Sequence, residues 1–286
     1  MTRESPGHTT KTCHPPRLIA FVSAAALRPL PRRRYARTMR LTVLGGRGAW
    51  PGANEACSGY LVEHQGYRLL VDPGYAIVPR LLGLLGADQV DAVFVSHGHP
   101  DHCADLNPLL RARALTDSPS AAPLPVYAPP GALDVVLALD RPGVLDDAYR
   151  MHHLAPERAI DIGPFGVRTA LLPHSMPNLG VRLECDGLTM VYTGDSGPGP
   201  GTVSLAQGSD LLLAEASYVT DVAADMRGQL SSAVDAGRQA RAAGVSRLVL
   251  THLLPGTDDA AAHAVATAEF GATVDVAHPG LVINLT

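Results

Sequence analysis

Beyond residue 38 the apolar positions follow two periods. Short runs rich in Val, Leu, Ile and Tyr, alternating or continuous and bounded by Gly, Pro, Asp or Ser, predict strands at 39–44, 58–63, 67–71, 92–95, 126–128, 159–162, 167–172, 181–185, 188–192, 211–214, 248–250, 273–276 and 281–285. Apolar residues at helical spacing predict helices over 75–86, 103–115, 131–139, 231–243 and 258–270. Two pairs of runs meet at Gln65-Gly66 and Asp186-Gly187, the signatures of tight hairpins. Strands and helices alternate most regularly in the last third, and no repeat of solenoid period interrupts them.

Polar residues with metal chemistry gather where strands end. Strand 92–95 runs into SHGHPDHCADL, which places His97, His99, Asp101 and His102 within six positions. Neutral imidazole and ionised carboxylate both bind divalent ions at pH 7, and so dense a cluster is hard to explain as packing. An extended loop aims His97 and His99 at one point, while Asp101 and His102 fall where a helix begins. Three more candidates follow strands: His174 in PHSMPNLG, Asp195 in YTGDSGP and His252 in LVLTHLLPGT. The remaining histidines lack that placement. His64 sits at a hairpin and is expected at the surface. His152 and His153 are adjacent on an extended segment and so point to opposite faces, and His263 and His278 fall in a helix and a turn. Cys103, beside the cluster, is a conceivable soft ligand but fits a buried helix position better. The turn GGRGAWPG resembles a phosphate cradle without the following G-K-[ST], and is read as a tight turn at the edge of the site.

Charge divides the chain unevenly. Residues 1–38 hold eight Lys or Arg against Glu4, whereas residues 39–286 hold fifteen Arg, no Lys and 26 acidic residues, a net charge of −11. Tight nonspecific nucleic-acid binding by the body is therefore not expected, since phosphate contacts come from clustered basic residues. The first 38 residues are expected to be a disordered basic extension ahead of a domain at 39–286. Their apolar run, 18–27, is too short to span a bilayer and lacks a clean cleavage pattern, so neither membrane nor export is expected. Four cysteines without a C-x-x-C pair do not form a disulfide framework, and a reducing cytoplasm is the simpler setting.

The ligand candidates, in this order and with HxHxDH at 97–102, resemble the metallo-β-lactamase superfamily over residues 39–286. The resemblance implies an α/β fold, a four-layer αββα sandwich with its site at one edge of two sheets. It further implies that one ion takes His97, His99 and His174, the other Asp101, His102 and His252, with Asp195 bridging. Asp101 and Asp195 are then also the candidate catalytic residues. Two divalent ions, Zn²⁺ first and Mn²⁺ or Fe²⁺ as alternatives, would activate water and clamp a phosphoryl group. A homodimer is implied as well.

The wider context, including DHCADL, HSMPNLGVRLE and YTGDSGP, is similar to the branch holding ribonuclease Z and bacterial phosphodiesterases, cyclic-nucleotide phosphodiesterases among them. In ribonuclease Z a histidine before a Ser-Thr pair is thought to protonate the leaving group. Here the place reads Gln229-Leu230-Ser231-Ser232, and glutamine cannot deliver a proton. No long Gly-rich arm for gripping tRNA is visible. The expectation is therefore a binuclear hydrolase of a small phosphodiester such as a cyclic nucleotide, with Arg182, Ser196, Ser217 and Gln229 as candidate substrate contacts. The alternatives are tRNA 3′-end processing and, from another class, a metal-stabilised binding protein without catalysis.

Overall fold

Period-two runs bury side chains on both faces of a strand, and that alternation builds the molecule. The computed structural model describes residues 38–115 and 122–286, so the expected disordered extension lies, Thr38 apart, outside the described residues. In chain order the first half forms β1 (Met39–Gly45), β2 (Gly59–His64), β3 (Tyr67–Val71), α1 (Val78–Leu82), β4 (Ala92–Phe94), α2 (Pro100–Cys103), α3 (Leu106–Ala114), β5 (Leu124–Ala128), α4 (Asp134–Leu137) and β6 (Tyr149–His153). The second half forms β7 (Ala159–Ile162), β8 (Phe165–Leu172), β9 (Asn178–Cys185), β10 (Leu188–Tyr192), α5 (Pro200–Ala206), β11 (Leu211–Glu215), α6 (Ala233–Ala243), β12 (Arg247–Thr251), α7 (Asp259–Phe270), β13 (Thr273–Val276) and β14 (Val282–Leu285).

The strands assemble into two seven-stranded sheets, β14-β1-β2-β3-β4-β5-β6 and β13-β12-β11-β10-β9-β8-β7. Each sheet is antiparallel along one side and parallel along the other, the parallel strands being β3 to β6 in the first and β10 to β13 in the second. Alternate residues sort into separate cores. Tyr60, Val62, Leu69, Val71 and Phe94 meet Met190, Tyr192, Leu211, Leu213 and Val249 between the sheets. Leu61, Leu70 and Val93 face Leu81, Leu106 and Leu110 of the first helical layer. Val191, Leu212 and Leu250 face Ala236, Ala240, Ala262 and Ala266 of the second. The result is helix, sheet, sheet, helix, as the resemblance implied.

Several elements differ from expectation. Helix 75–86 shrinks to α1, which ends at Gly83, and helix 131–139 to the single turn of α4. Helix 103–115 is split into α2 and α3: the Asp105 amide at the break donates to the Pro73 carbonyl at 2.9 Å instead of continuing α2, while its carboxylate accepts the Val78 amide at 2.8 Å. β6 and α5 were not anticipated as regular elements. His64 is not at the surface: it is buried, with Nδ1 3.0 Å from the Thr38 carbonyl oxygen and Nε2 3.1 Å from Asp186. It ties the β2–β3 hairpin of one sheet to the β9–β10 hairpin of the other. Both hairpins turn through the left-handed region, with φ of 50° and 87° at Gln65-Gly66 and 49° and 85° at Asp186-Gly187. Among the described residues no helix is long and apolar enough to cross a membrane.

Candidate metal centre

The sheets bring the carboxyl ends of their parallel strands to one edge, where open α/β sheets place ligands. β4 delivers Ser96, His97 and the turn into α2, whose N-cap is His99 and whose first turn carries Asp101 and His102. The β8–β9 connection supplies His174, the residues after β10 supply Asp195, and those after β12 supply His252. His252 has φ of 60°, and Asp72, just past β3, has φ of 48°. Non-glycine residues in the left-handed region cost roughly 1–3 kcal/mol each and are held there only by their surroundings. The His252 amide donates to the Gly46 carbonyl at 2.7 Å, and a Cβ on Gly48 would sit 2.5 Å from the His252 ring. Only glycine permits that approach. The neighbouring Ala49 amide donates to Asp101 Oδ2 at 2.7 Å.

Partners behind the imidazoles fix which nitrogen faces inward. A carboxylate only accepts, so His102 Nδ1 donates to Asp72 Oδ2 at 2.8 Å. Ser96 Oγ gives its proton to the same carboxylate at 2.6 Å, leaving its lone pair for His97 Nδ1–H at 3.0 Å. His174 Nδ1 donates to the Gln229 carbonyl at 3.0 Å. In their neutral forms these three rings therefore turn bare Nε2 atoms toward one another. His252 Nδ1 lies 2.9 Å from Ser217 Oγ, and its Nε2 points the same way.

Two groups of donor atoms result: His97, His99, His174 and Asp195, and Asp101, His102, Asp195 and His252, each with all its atoms within 4.8 Å of one another. Asp195 belongs to both. Its Oδ2 faces His97 Nε2 at 3.8 Å and His174 Nε2 at 3.9 Å, while Oδ1 faces His102 Nε2 at 3.0 Å and His252 Nε2 at 3.2 Å. Donors about 2.1 Å from a tetrahedral ion lie about 3.4 Å apart, and these spacings bracket that value. His102 Nε2 and Asp195 Oδ1 are buried and 3.0 Å apart, and neither makes a hydrogen bond. Two orphaned donors aimed at a common point fit a cation, and the donor set of imidazole and carboxylate suits a divalent one.

The electrostatics show how strongly the groups couple. Burial pushes the Asp195 carboxyl up, but the His102 and His252 charges outweigh it and hold it well below the usual carboxylate range. Asp101 is likewise lowered, with burial opposed by the His102 charge and by the bond and charge of His252. Burial drives His97 well below the ordinary imidazole value, reinforced by the His102 charge. His102 and His252 go the other way, because Asp195 and Asp101 override the burial that would lower them.

The predicted substrate contacts fare differently. Arg182 lies four residues along β9 from Asn178, its guanidinium donating to Glu184 and to the carbonyls of Leu205 and Gln207, away from the cluster. Ser196 is buried beside the site, and its hydroxyl donates to the Gly197 carbonyl at 3.3 Å. Ser217 stands behind His252, and Gln229 meets His174 through its backbone carbonyl, so both hold candidate ligands in place. His152 is half-buried, stacked on Tyr127, and His153 is exposed, at the end of β6. Cys103 is a buried residue of α2 whose thiol faces the Gly98 and His99 carbonyls. Two hubs escaped sequence reasoning. Asp72 accepts from Ser96, His102 and the Tyr192 hydroxyl. Glu215, pushed up to about 7 chiefly by burial, accepts the Ser217 and Ser231 amides at 2.9 and 2.6 Å. Their signal was an acidic residue directly following an apolar strand or closing one.

A pair of facing mixed sheets with this histidine and aspartate cluster at their edge is the architecture of a metallo-β-lactamase fold. A family model described as "Beta-lactamase superfamily domain" matches residues 67–253, and the chain belongs to the metallo-β-lactamase superfamily. A probable metallo-hydrolase of Bacillus subtilis, YhfI, is 33% identical over 75% of this chain and 87% of its own length. Its crystal structure superposes with a TM-score of 0.79 at 31% identity, covering 87% of this chain and all of that one. The ribonuclease Z of Mycolicibacterium gilvum is 31% identical over 76% of this chain and 85% of its own. The short form of human tRNase Z superposes with a TM-score of 0.71 at 26% identity, over 86% and 98% of the two chains.

Proposed function

We propose that this metal-dependent hydrolase, with its catalytic domain at 39–286, cleaves a small phosphodiester, a cyclic nucleotide being the favoured type. The observation that carries the proposal is Asp195, which turns one carboxylate oxygen to each of two donor groups. His97, His99 and His174 would hold one ion and Asp101, His102 and His252 the other, with Zn²⁺ favoured by the donor set. Such ions supply Lewis acidity toward phosphoryl oxygens and acidify water when bound. The chain's own residues do the positioning. Asp72 and Ser96 orient His102 and His97, while Ser217 and the Gln229 carbonyl orient His252 and His174. Asp101 is steadied by the Ala49 amide.

The acidic, lysine-free body supports a small substrate, since a long polyanion needs many basic contacts. Among the described residues, the thiols Cys57, Cys103 and Cys185 are free and buried, which supports a reducing cytoplasm, and the homodimer belongs to the same proposal. In the test, full-length protein with added Zn²⁺ or Mn²⁺ is assayed on bis(p-nitrophenyl) phosphate and on cyclic nucleotides. Turnover should fall to background in Asp195→Ala and on chelation; turnover indifferent to both would end the proposal. tRNA 3′-end processing is the rival, favoured by the two relatives named ribonuclease Z and tRNase Z. Cleavage of precursor tRNA at lower enzyme concentration than any small diester requires would decide for it.

A further inference from the structure

A cavity of about 640 Å³ opens beside the candidate metal centre, between the chain that follows β5 and β6 and the β8–β9 connection. His174 forms part of its wall, so it is continuous with the donor cluster. Its chemistry is one-sided. Five of its lining residues are prolines, which give no backbone N–H, and most of the others are Leu or Met. Apart from His174 and Ser175 no lining side chain can donate a hydrogen bond, and the inner nitrogens of His174 are taken by Gln229 and the cluster. Leu171 is 56% exposed at its mouth, an apolar surface left bare next to a polar site. Proline rings with fixed φ keep the walls preformed, and the volume lies in the usual range of small-molecule sites.

We infer that this cavity is a subsite for an uncharged, flat or aliphatic organic substituent of the phosphoester, gripped by its face and not read along its edges. The inference rests on the hydrolase proposal for the source of the phosphoryl group, but not on turnover. When a phosphoryl group sits at the donor cluster, a substituent on one of its oxygens passes the His174 ring and enters between Pro173, Met176 and Leu171. A charged substituent would lose its water there without gaining a partner and is rejected. For a cyclic nucleotide the group on the phosphoryl oxygens is the ribose, and the part that reaches the cavity is the base it carries.

The probes are 1-naphthylphosphonate and methylphosphonate, which cannot be hydrolysed, added to the full-length Zn²⁺-loaded chain carrying ¹³C-methyl methionine. The Met176 methyl signal, assigned through Met176→Leu, should shift with the naphthyl compound and not with the methyl compound. The naphthyl compound should bind about 10- to 100-fold more tightly, the scale expected from the added apolar area. Leu171→Asp should cut that preference about tenfold or more, whereas the same change at Leu84, exposed and outside the cavity, should leave it intact. A silent Met176 signal, or equal affinities for the two phosphonates, overturns the subsite whatever the diester assay gives. A lack of turnover with a Met176 response overturns the phosphodiesterase proposal alone.

Discussion

Asp72 decides more of the site than any residue in the histidine motif, because one carboxylate holds Ser96, His102 and Tyr192 at once. An amide in its place keeps the shape but has one accepting oxygen where the carboxylate has two, and its NH₂ would face donors. Asp72→Asn should therefore release the His102 ring and weaken metal affinity about 10- to 100-fold, the usual scale for a lost outer partner. Competition with a chromophoric chelator measures this, and unchanged affinity would mean that Ser96 and packing suffice. Asp72 follows an apolar strand as the later ligands do, but its role as a hub was not legible, because its bonded partners lie 24, 30 and 120 positions away. His97 to His102 were legible because they are dense and local, and His174, Asp195 and His252 because each follows an apolar strand. Ser217 and Gln229 were legible as neighbours of the site but not as to side. A strand-end position does not say whether a group faces the cluster or stands behind it.

Among the elements, the β1–β2 loop is the one fastened most deliberately. Arg47 forks onto both oxygens of Asp259 at the start of α7, at 2.7 and 2.9 Å, and reaches Glu55 at 2.8 Å, with its side chain only 15% exposed. That anchor sets the path of Gly48 past His252 and of the Ala49 amide onto Asp101. Arg47→Ala should cost about 1–3 kcal/mol, the range for bonds to charged groups, discounted because Asp259 and Glu55 are partly in water. A lower urea midpoint at unchanged slope would register it. Strands were the easier elements to foresee, since burial on both faces leaves a plain apolar run. Helices with local stop signals matched as well: α6 has Ser232 accepting the Asp235 amide and ends at Gly244 with φ of 64°, and α7 begins at the Asp258 cap and ends at Gly271. The predicted helices overran because their limits are set from afar, as the Asp105 amide leaves the helical ladder to bond the Pro73 carbonyl.

At the scale of the whole molecule, two sheets and several loops are joined at one edge by opposite charges, so their fit must depend on pH and on metal. Without an ion, His102 and His252 have folded values raised above the ordinary 6.5, and Asp101 and Asp195 have values lowered below 3.8. A raised imidazole contributes stability that is full below 6.5 and is lost as pH climbs through its folded value. A depressed carboxylate contributes stability that is full above 3.8 and is lost as pH falls further. Both contributions coexist between those limits, so the chelated protein should weaken as pH rises beyond 6.5. A divalent ion reverses the slope, because it binds only the deprotonated rings and displaces their protons. Each proton displaced adds about 1.4 kcal/mol of binding per pH unit, and a protein of this size gains roughly 2–4 °C in Tm per kcal/mol. The Tm difference between Zn²⁺-loaded and chelated full-length protein should therefore widen by roughly 5 °C or more between about pH 6 and about pH 8. Parallel melting curves across that interval would mean that the histidines do not give up protons to a metal, and with them would go the proposed two-ion site between the sheets.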